Sequence, residues 1–131
     1  MKNAADAVAA ARALVGVRFR PQGRGRTSGL DCIGLVVEAF DIDAAPVNYD
    51  VRGEARAELE AGLSMAGFAP AADRKGGDVL AMRSAPGQLH LGVWTGHGIV
   101  HADARLRRVV ERPGEPPWPV LGTWRPVAGR G

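Results

Sequence analysis

Residues 29–40 read Gly29-Leu30-Asp31-Cys32-Ile33-Gly34-Leu35-Val36-Val37-Glu38-Ala39-Phe40. Ile33, Val36, Val37 and Phe40 recur at i, i+3, i+4 and i+7, the period of a helix with one apolar face. Asp31 or Ser28 is the expected N-cap, since either side chain can accept from an unpaired amide of the first turn. Cys32 therefore falls at the start of the helix, where free N–H groups aim positive charge outward. That placement predicts a thiol held below its free value of ~8.5 and reactive at neutral pH. The competing reading is a small buried hydrophobe, which is what most lone cysteines are.

Working outward, Val17 to Gly29 is rich in Gly, Arg and Pro and reads as a loop whose small residues would let a substrate backbone approach. Before it, Ala4 to Val15 is a run of helix formers with Val8, Ala11 and Val15 on one face, ended by Gly16. After Phe40, Asp41 to Gly53 is a polar connection holding Pro46, Glu54 to Ala66 a third helix with Leu59, Leu63 and Ala66 on one side, and Gly67 to Gly77 a loop. The pattern then changes to short runs between turn signals. Residues 78–83, 89–95, 98–102, 106–112 and 120–126 read as strands, the second and third joined at Gly96-His97-Gly98. Helices first and an antiparallel sheet of about five strands second describe an α+β fold, with residues 1–131 forming one domain.

A nucleophilic thiol needs a base in reach and a third group to orient that base. The candidates are His90, His97 and His101. Folding the 89–95 and 98–102 strands about their turn brings His90 and His101 to the same end, with a stagger or bulge because 90 is seven residues before His97 and 101 only four after it. His97 sits at the tip and reads as a solvated turn residue. A zinc site built from Cys32 and the three histidines is disfavoured, because H-x6-H-x3-H matches no common zinc spacing. No metal or cofactor is expected.

The 17 Lys and Arg against 14 Asp and Glu leave a net charge of +3, and aromatic residues make up 5%. Scattered arginines with so few aromatics argue against a nucleic-acid partner. One cysteine excludes an internal disulfide. No run approaches the ~18 apolar residues of a bilayer span, so no membrane insertion is expected. Residues 1–17 lack the apolar core of a signal peptide, so the expectation is synthesis in the cytoplasm, with any action outside it depending on a carrier.

Taken together, Gly-Leu-Asp-Cys-Ile-Gly-Leu-Val at 29–36, Gly-Asp-Val at 77–79 and His-Leu-Gly-Val-Trp with Ile-Val-His-Ala over 90–102 resemble the NlpC/P60 family of cell-wall cysteine peptidases. The resemblance runs from the first helix to about Arg112. It implies a papain-like α+β fold with the nucleophile helix packed on the antiparallel sheet, Cys32 as nucleophile, His90 as base and His101 as the third polar residue. It implies as substrate the amide between D-glutamate and a diamino acid in peptidoglycan stem peptides. The short Ala/Gly/Arg-rich form looks like the subset encoded with phage or gene-transfer-agent tail genes, which makes phage-tail-like proteins the implied partners and carriers.

Phe19 stands where the family usually has a Tyr near the nucleophile, and Ile33 where a Ser commonly follows it. Asp31, Phe19, Arg24 and Arg26 are the expected substrate-binding residues; Arg18 and Arg20 share the same loop, and any of these arginines could pair with the carboxylates of a stem peptide. The same thiol and histidines would also serve an amidase or acyltransferase acting on another amide or ester. A third reading is a catalytically idle tail or wall-binding module that keeps the fold.

Overall fold

Asn3 starts the chain's first helix. Its side-chain oxygen accepts from the Asp6 amide at 2.9 Å, satisfying one of the unpaired donors of a first turn, and α1 runs Ala4–Ala13. The chain is seen here as a computed structural model that describes residues 2–43 and 56–127. The buried face of α1 is Ala7 and Ala11, continued by Leu14, while Val15 is 45% exposed. The valines expected on that face are displaced by alanines because α1 packs against another helix, where small side chains allow close approach.

The stretch 29–40 forms the element its period predicts. A two-residue ribbon, β1 (Arg24–Gly25) against β2 (Gly29–Leu30), delivers the chain into α2 (Cys32–Phe40). Asp31 is the N-cap of α2, and Ser28 instead lies in the ribbon turn facing the Gly25 carbonyl. Asp41 closes α2 in the left-handed conformation at φ 55°. Most of the expected polar connection, with Pro46, lies outside the described residues, as do Glu54 and Ala55 at the expected start of the third helix. The described part of that helix is α3 (Arg56–Met65), which buries Leu59, Gly62 and Leu63.

Six antiparallel strands follow: β3 (Phe68–Pro70), β4 (Val79–Ala85), β5 (Gln88–Trp94), β6 (Gly98–Asp103), β7 (Arg108–Pro113) and β8 (Val120–Pro126). Their order in the sheet is β3-β8-β4-β5-β6-β7. The strand beyond the expected five is β3, three residues ending in proline, too short to show an alternating pattern and held at the edge by pairing with β8. One sheet face carries Val79, Ala81, Leu89, Leu91, Val93, Val100 and Ala102 into the main core with the helices. The other carries Leu80, Met82 and Ile99, with Trp94, Trp118 and Val120 packed around them.

The Gly-Asp-Val motif is a structural joint. Gly77, at φ +96°, packs directly on Ala4 of α1. Asp78 is 1% exposed; its carboxylate accepts from Arg125 Nε at 2.9 Å, from Arg125 Nη2 at 2.8 Å and from the Lys75 amide at 2.7 Å. The planar guanidinium satisfies both oxygens at once, tying the start of β4 to the end of β8. Asp78 is the buried member, while Arg125 stays a third exposed and keeps Asp73. Asp78→Ala is expected to lower unfolding stability, by loss of the bonds its carboxylate accepts, measured by urea denaturation. Asp73→Ala, which removes an exposed partner of Arg125, should have a clearly smaller effect.

Candidate active site

The site begins with the cap of α2. Asp31 Oδ1 accepts from the Gly34 amide at 2.8 Å and from Arg24 Nη1 at 2.7 Å. Its Oδ2 accepts from the Gln22 amide at 3.1 Å. One carboxylate thus fixes the first turn of α2 and the 20–24 loop beside it. Gly34 completes the joint: a Cβ there would run into the Gly23 carbonyl. The spacing Asp-Cys-x-Gly follows, because the cap and the glycine lie on either side of the thiol they position.

Cys32 is the first residue of α2 and is 5% exposed. What it faces is an opening in the sheet. β5 and β6 pair only at Val93↔Val100 and Trp94↔Ile99, although β4–β5 pairing runs from Val79↔Val93 to Ala85↔Gln88 and β6–β7 pairing from Gly98↔Pro113 to Asp103↔Arg108. Below Gly92 the two strands part. Leu91, which would face Ala102 if the ladder continued, turns its amide to the Cys32 sulfur. At the closed end Gly92 is required, since a Cβ there would overlap the Ile99 side chain.

His90 and His101 stand on either lip of this opening. Their Nε2 and Nδ1 atoms are 3.1 Å apart, a hydrogen-bond distance. The pairing axis passes between residues 96 and 97 rather than through His97, so Gly92 is the position opposite His101 and His90 is its diagonal neighbour on the same face. Same-face diagonal neighbours are within reach of such rings. The expected stagger is therefore no bulge; it is an even offset that keeps both rings on one side. His97 is exposed at the tip, its amide on the Thr95 hydroxyl.

These groups line one cleft of about 800 Å³ that includes Phe19, Asp31, Cys32, His90, His101 and Trp118. Trp118 was invisible as a site residue in the sequence, since its Pro-rich loop shows no periodicity. Phe19 lies on the cleft wall with no hydroxyl to offer. Arg24 is engaged by Asp31, and Arg26 reaches the Ala13 carbonyl beside α1, in a different pocket. Neither is among the cleft-lining residues, and neither are Arg18 and Arg20. The arginines on the cleft are Arg105 and Arg112, exposed beside Asp103, from a stretch the sequence reading passed over. Among the described residues no group of three or more His, Cys, Asp or Glu converges as a metal site, and no helix is long and apolar enough to cross a membrane.

The electrostatics reverse one expectation. Burial pushes the Cys32 thiol up to about 12, with the Asp31 carboxylate adding to the rise and the Leu91 and Ile33 amides and Arg24 opposing it. Burial likewise holds His90 down at about 3, reinforced by His101 and opposed by Asp103. His101 is lowered by its burial and by Arg112, against the pull of Asp103. The helix terminus alone favours thiolate. Here loss of water outweighs it, and the resting groups are a neutral thiol and a neutral imidazole lining the same cleft.

No family model matches the sequence, and no curated protein matches it. The fold, however, has solved counterparts. It is similar to NlpC1 from Trichomonas vaginalis, with a TM-score of 0.65 at 19% identity over 91% of this chain and 42% of that one. It is similar to the NlpC/P60 domain of the peptidoglycan hydrolase SagA, at 0.58 and 24% over 86% and 90%. It is also similar to the peptidoglycan hydrolase RipB from Mycobacterium tuberculosis, at 0.60 and 21% over 93% and 63%. The architecture is thus that of NlpC/P60 domains, mixed helix and antiparallel sheet. The chain spans less than half the length of the Trichomonas protein.

The lowered histidines set the acid stability of the fold. An unfolded histidine binds its proton near ~6.5, whereas folded His90 does so only at about 3. Between those values the unfolded chain holds more protons, so stability falls as pH falls, by up to about 1.4 kcal/mol per pH unit per histidine. The lowered carboxylates Asp73, Asp103 and Glu111 lose their contribution only below ~4. Urea midpoints should therefore drop between pH 7 and pH 5, and His90→Gln should flatten that slope.

Proposed function

We propose that this protein is a cysteine peptidase that hydrolyses amide bonds in peptidoglycan stem peptides, with D-glutamyl–diamino acid as the bond. The observation that carries the reading is the convergence, in one cleft, of a helix-terminal thiol and a hydrogen-bonded pair of imidazoles. The peptidoglycan hydrolases among its structural counterparts support the substrate class.

Charging Cys32 or His90 alone is costly in this buried site. Moving the thiol proton to His90 charges both together, and their mutual attraction, with Asp103 nearby, offsets part of that cost. With His90 Nε2–H donating to His101 Nδ1, Nδ1 of His90 is the lone-pair nitrogen that takes the proton. The sulfur attacks the carbonyl carbon, and the oxyanion is met by amides at the start of α2, that of Cys32 included. His90 returns the proton to the leaving amine, giving a thioester. Water, losing a proton to His90, hydrolyses it to the carboxylate and restores the thiol. Arg105 and Arg112 supply the positive charge that the stem-peptide carboxylates require. Asp31, already holding the α2 cap, shapes the cleft wall with Phe19. We further propose, from the Ala/Gly/Arg-rich composition alone, that after synthesis in the cytoplasm a phage-like or gene-transfer-agent particle carries the protein to the wall.

Mass analysis of purified muropeptides tests the reading. Wild type should release the diamino-acid fragment, and Cys32→Ala and His90→Ala should release none. His101→Ala should retain a trace, since loss of an orienting group costs as much as ~10⁴-fold. His101→Asn or His101→Gln should recover part of the activity, because an amide oxygen accepts the same hydrogen bond. His97→Ala should match wild type. Intact muropeptides after prolonged incubation with wild type, or equal damage from His97→Ala and His90→Ala, would contradict the proposal.

A further inference from the structure

A third ring, not used by the chemistry above, meets both imidazoles. The Trp118 ring centroid lies 5.2 Å from that of His90 and 5.0 Å from that of His101, at interplanar angles of 80° and 84°. The imidazoles are themselves 5.2 Å apart at 85°. The three rings are mutually near-perpendicular, so each pair meets edge to face, the arrangement favoured between the positive rim of one aromatic and the negative face of another. The indole is firmly seated. It packs against the Leu80, Met82 and Ile99 cluster on the outer sheet face, and Pro117 and Pro119 on either side fix the backbone φ at two positions.

We infer that Trp118 is a positioning residue of this site, a wall that fixes the mutual orientation of His90 and His101 and keeps water from their shared hydrogen bond. The inference rests on the proposed roles of the two histidines. An imidazole joined to its neighbour by one hydrogen bond can still turn about its χ2 axis and exchange a nitrogen for a carbon. An edge-on indole against both rings removes that freedom without adding a charge. The charged and titratable groups on the cleft with the pair are Asp31 and Cys32 at the start of α2, Asp103 on β6, Arg105 in the following turn and Arg112 on β7. Opposite His90 on β4 stands Met82, which brings none. A substitution at Trp118 leaves all of these in place, so a change in histidine titration reports the wall itself.

The test uses the full chain with ¹⁵N-labelled histidine and follows the ring nitrogens by NMR from pH 7 to pH 4. In wild type His90 should stay neutral and in one tautomer across this range. In Trp118→Leu, which keeps apolar bulk but no ring, the His90 midpoint should rise toward the ordinary ~6.5 by about one pH unit or more. Trp118→Phe should restore most of the wild-type behaviour. The inference is overturned if Trp118→Leu titrates as wild type does, or if Trp118→Phe is displaced as far as Trp118→Leu. Far-UV circular dichroism identifies a variant that fails to fold, in which case Trp118→Phe against wild type decides: a wild-type titration supports the wall and a shift of a full unit overturns it. No substrate enters the measurement, so failure of muropeptide hydrolysis leaves its outcome intact.

Discussion

One carboxylate, that of Asp31, holds the Gly34 amide, the Gln22 amide and Arg24 together at the start of α2. That joint sets where the thiol of Cys32 meets the sheet. β5 and β6 stay paired for two residue pairs next to the hairpin turn and then part, and the gap is filled from the inner face by the first turn of α2. The Asp31 cap and the glycine contact between positions 23 and 34 hold the helix end at that height. The histidines stay on the lips of the opening and line one cleft with Cys32.

Burial then decides the protonation of the site. With the thiol at about 12 and the imidazole at about 3, the proton stays on sulfur and the imidazole stays neutral over the whole physiological range. In the proposed reaction the pair stays chemically quiet until a carbonyl arrives to receive the sulfur's electrons. Such a resting state protects a lone cysteine from oxidation and alkylation, which act on thiolate. It also means that the pair itself imposes little pH dependence near neutrality, since its proton count does not change there.

Much of this was legible in the residues. The apolar period after Cys32, the Asp31 cap and the hairpin that brings His90 and His101 to one end are local signals, and each formed as read. What the sequence concealed depends on depth and distance. The direction of the thiol's shift turned on how completely water is excluded, which no helix position reveals. Arg24 and Arg26 lie near Cys32 in sequence yet turn to the cap and to α1, while Arg105 from the β6–β7 turn and Arg112 from β7, more than seventy residues away, reach the cleft. On α1 Ala11 is buried as expected, but Val15 is exposed and Ala7 joins the inner face, because close helix packing favours alanine where hydrophobicity favours valine. Trp118 sits in a proline-rich loop whose only pattern is tertiary.

The central claim is that the sulfur of Cys32 forms the covalent intermediate. Muropeptides mixed with the protein and quenched in acid within one turnover, followed by peptide mass mapping, test it directly. The account predicts a glutamyl-containing acyl group on the peptide that carries Cys32, which disappears as product accumulates. Product formation with Cys32 unmodified at every time point, or an acyl group on any other residue, would contradict it.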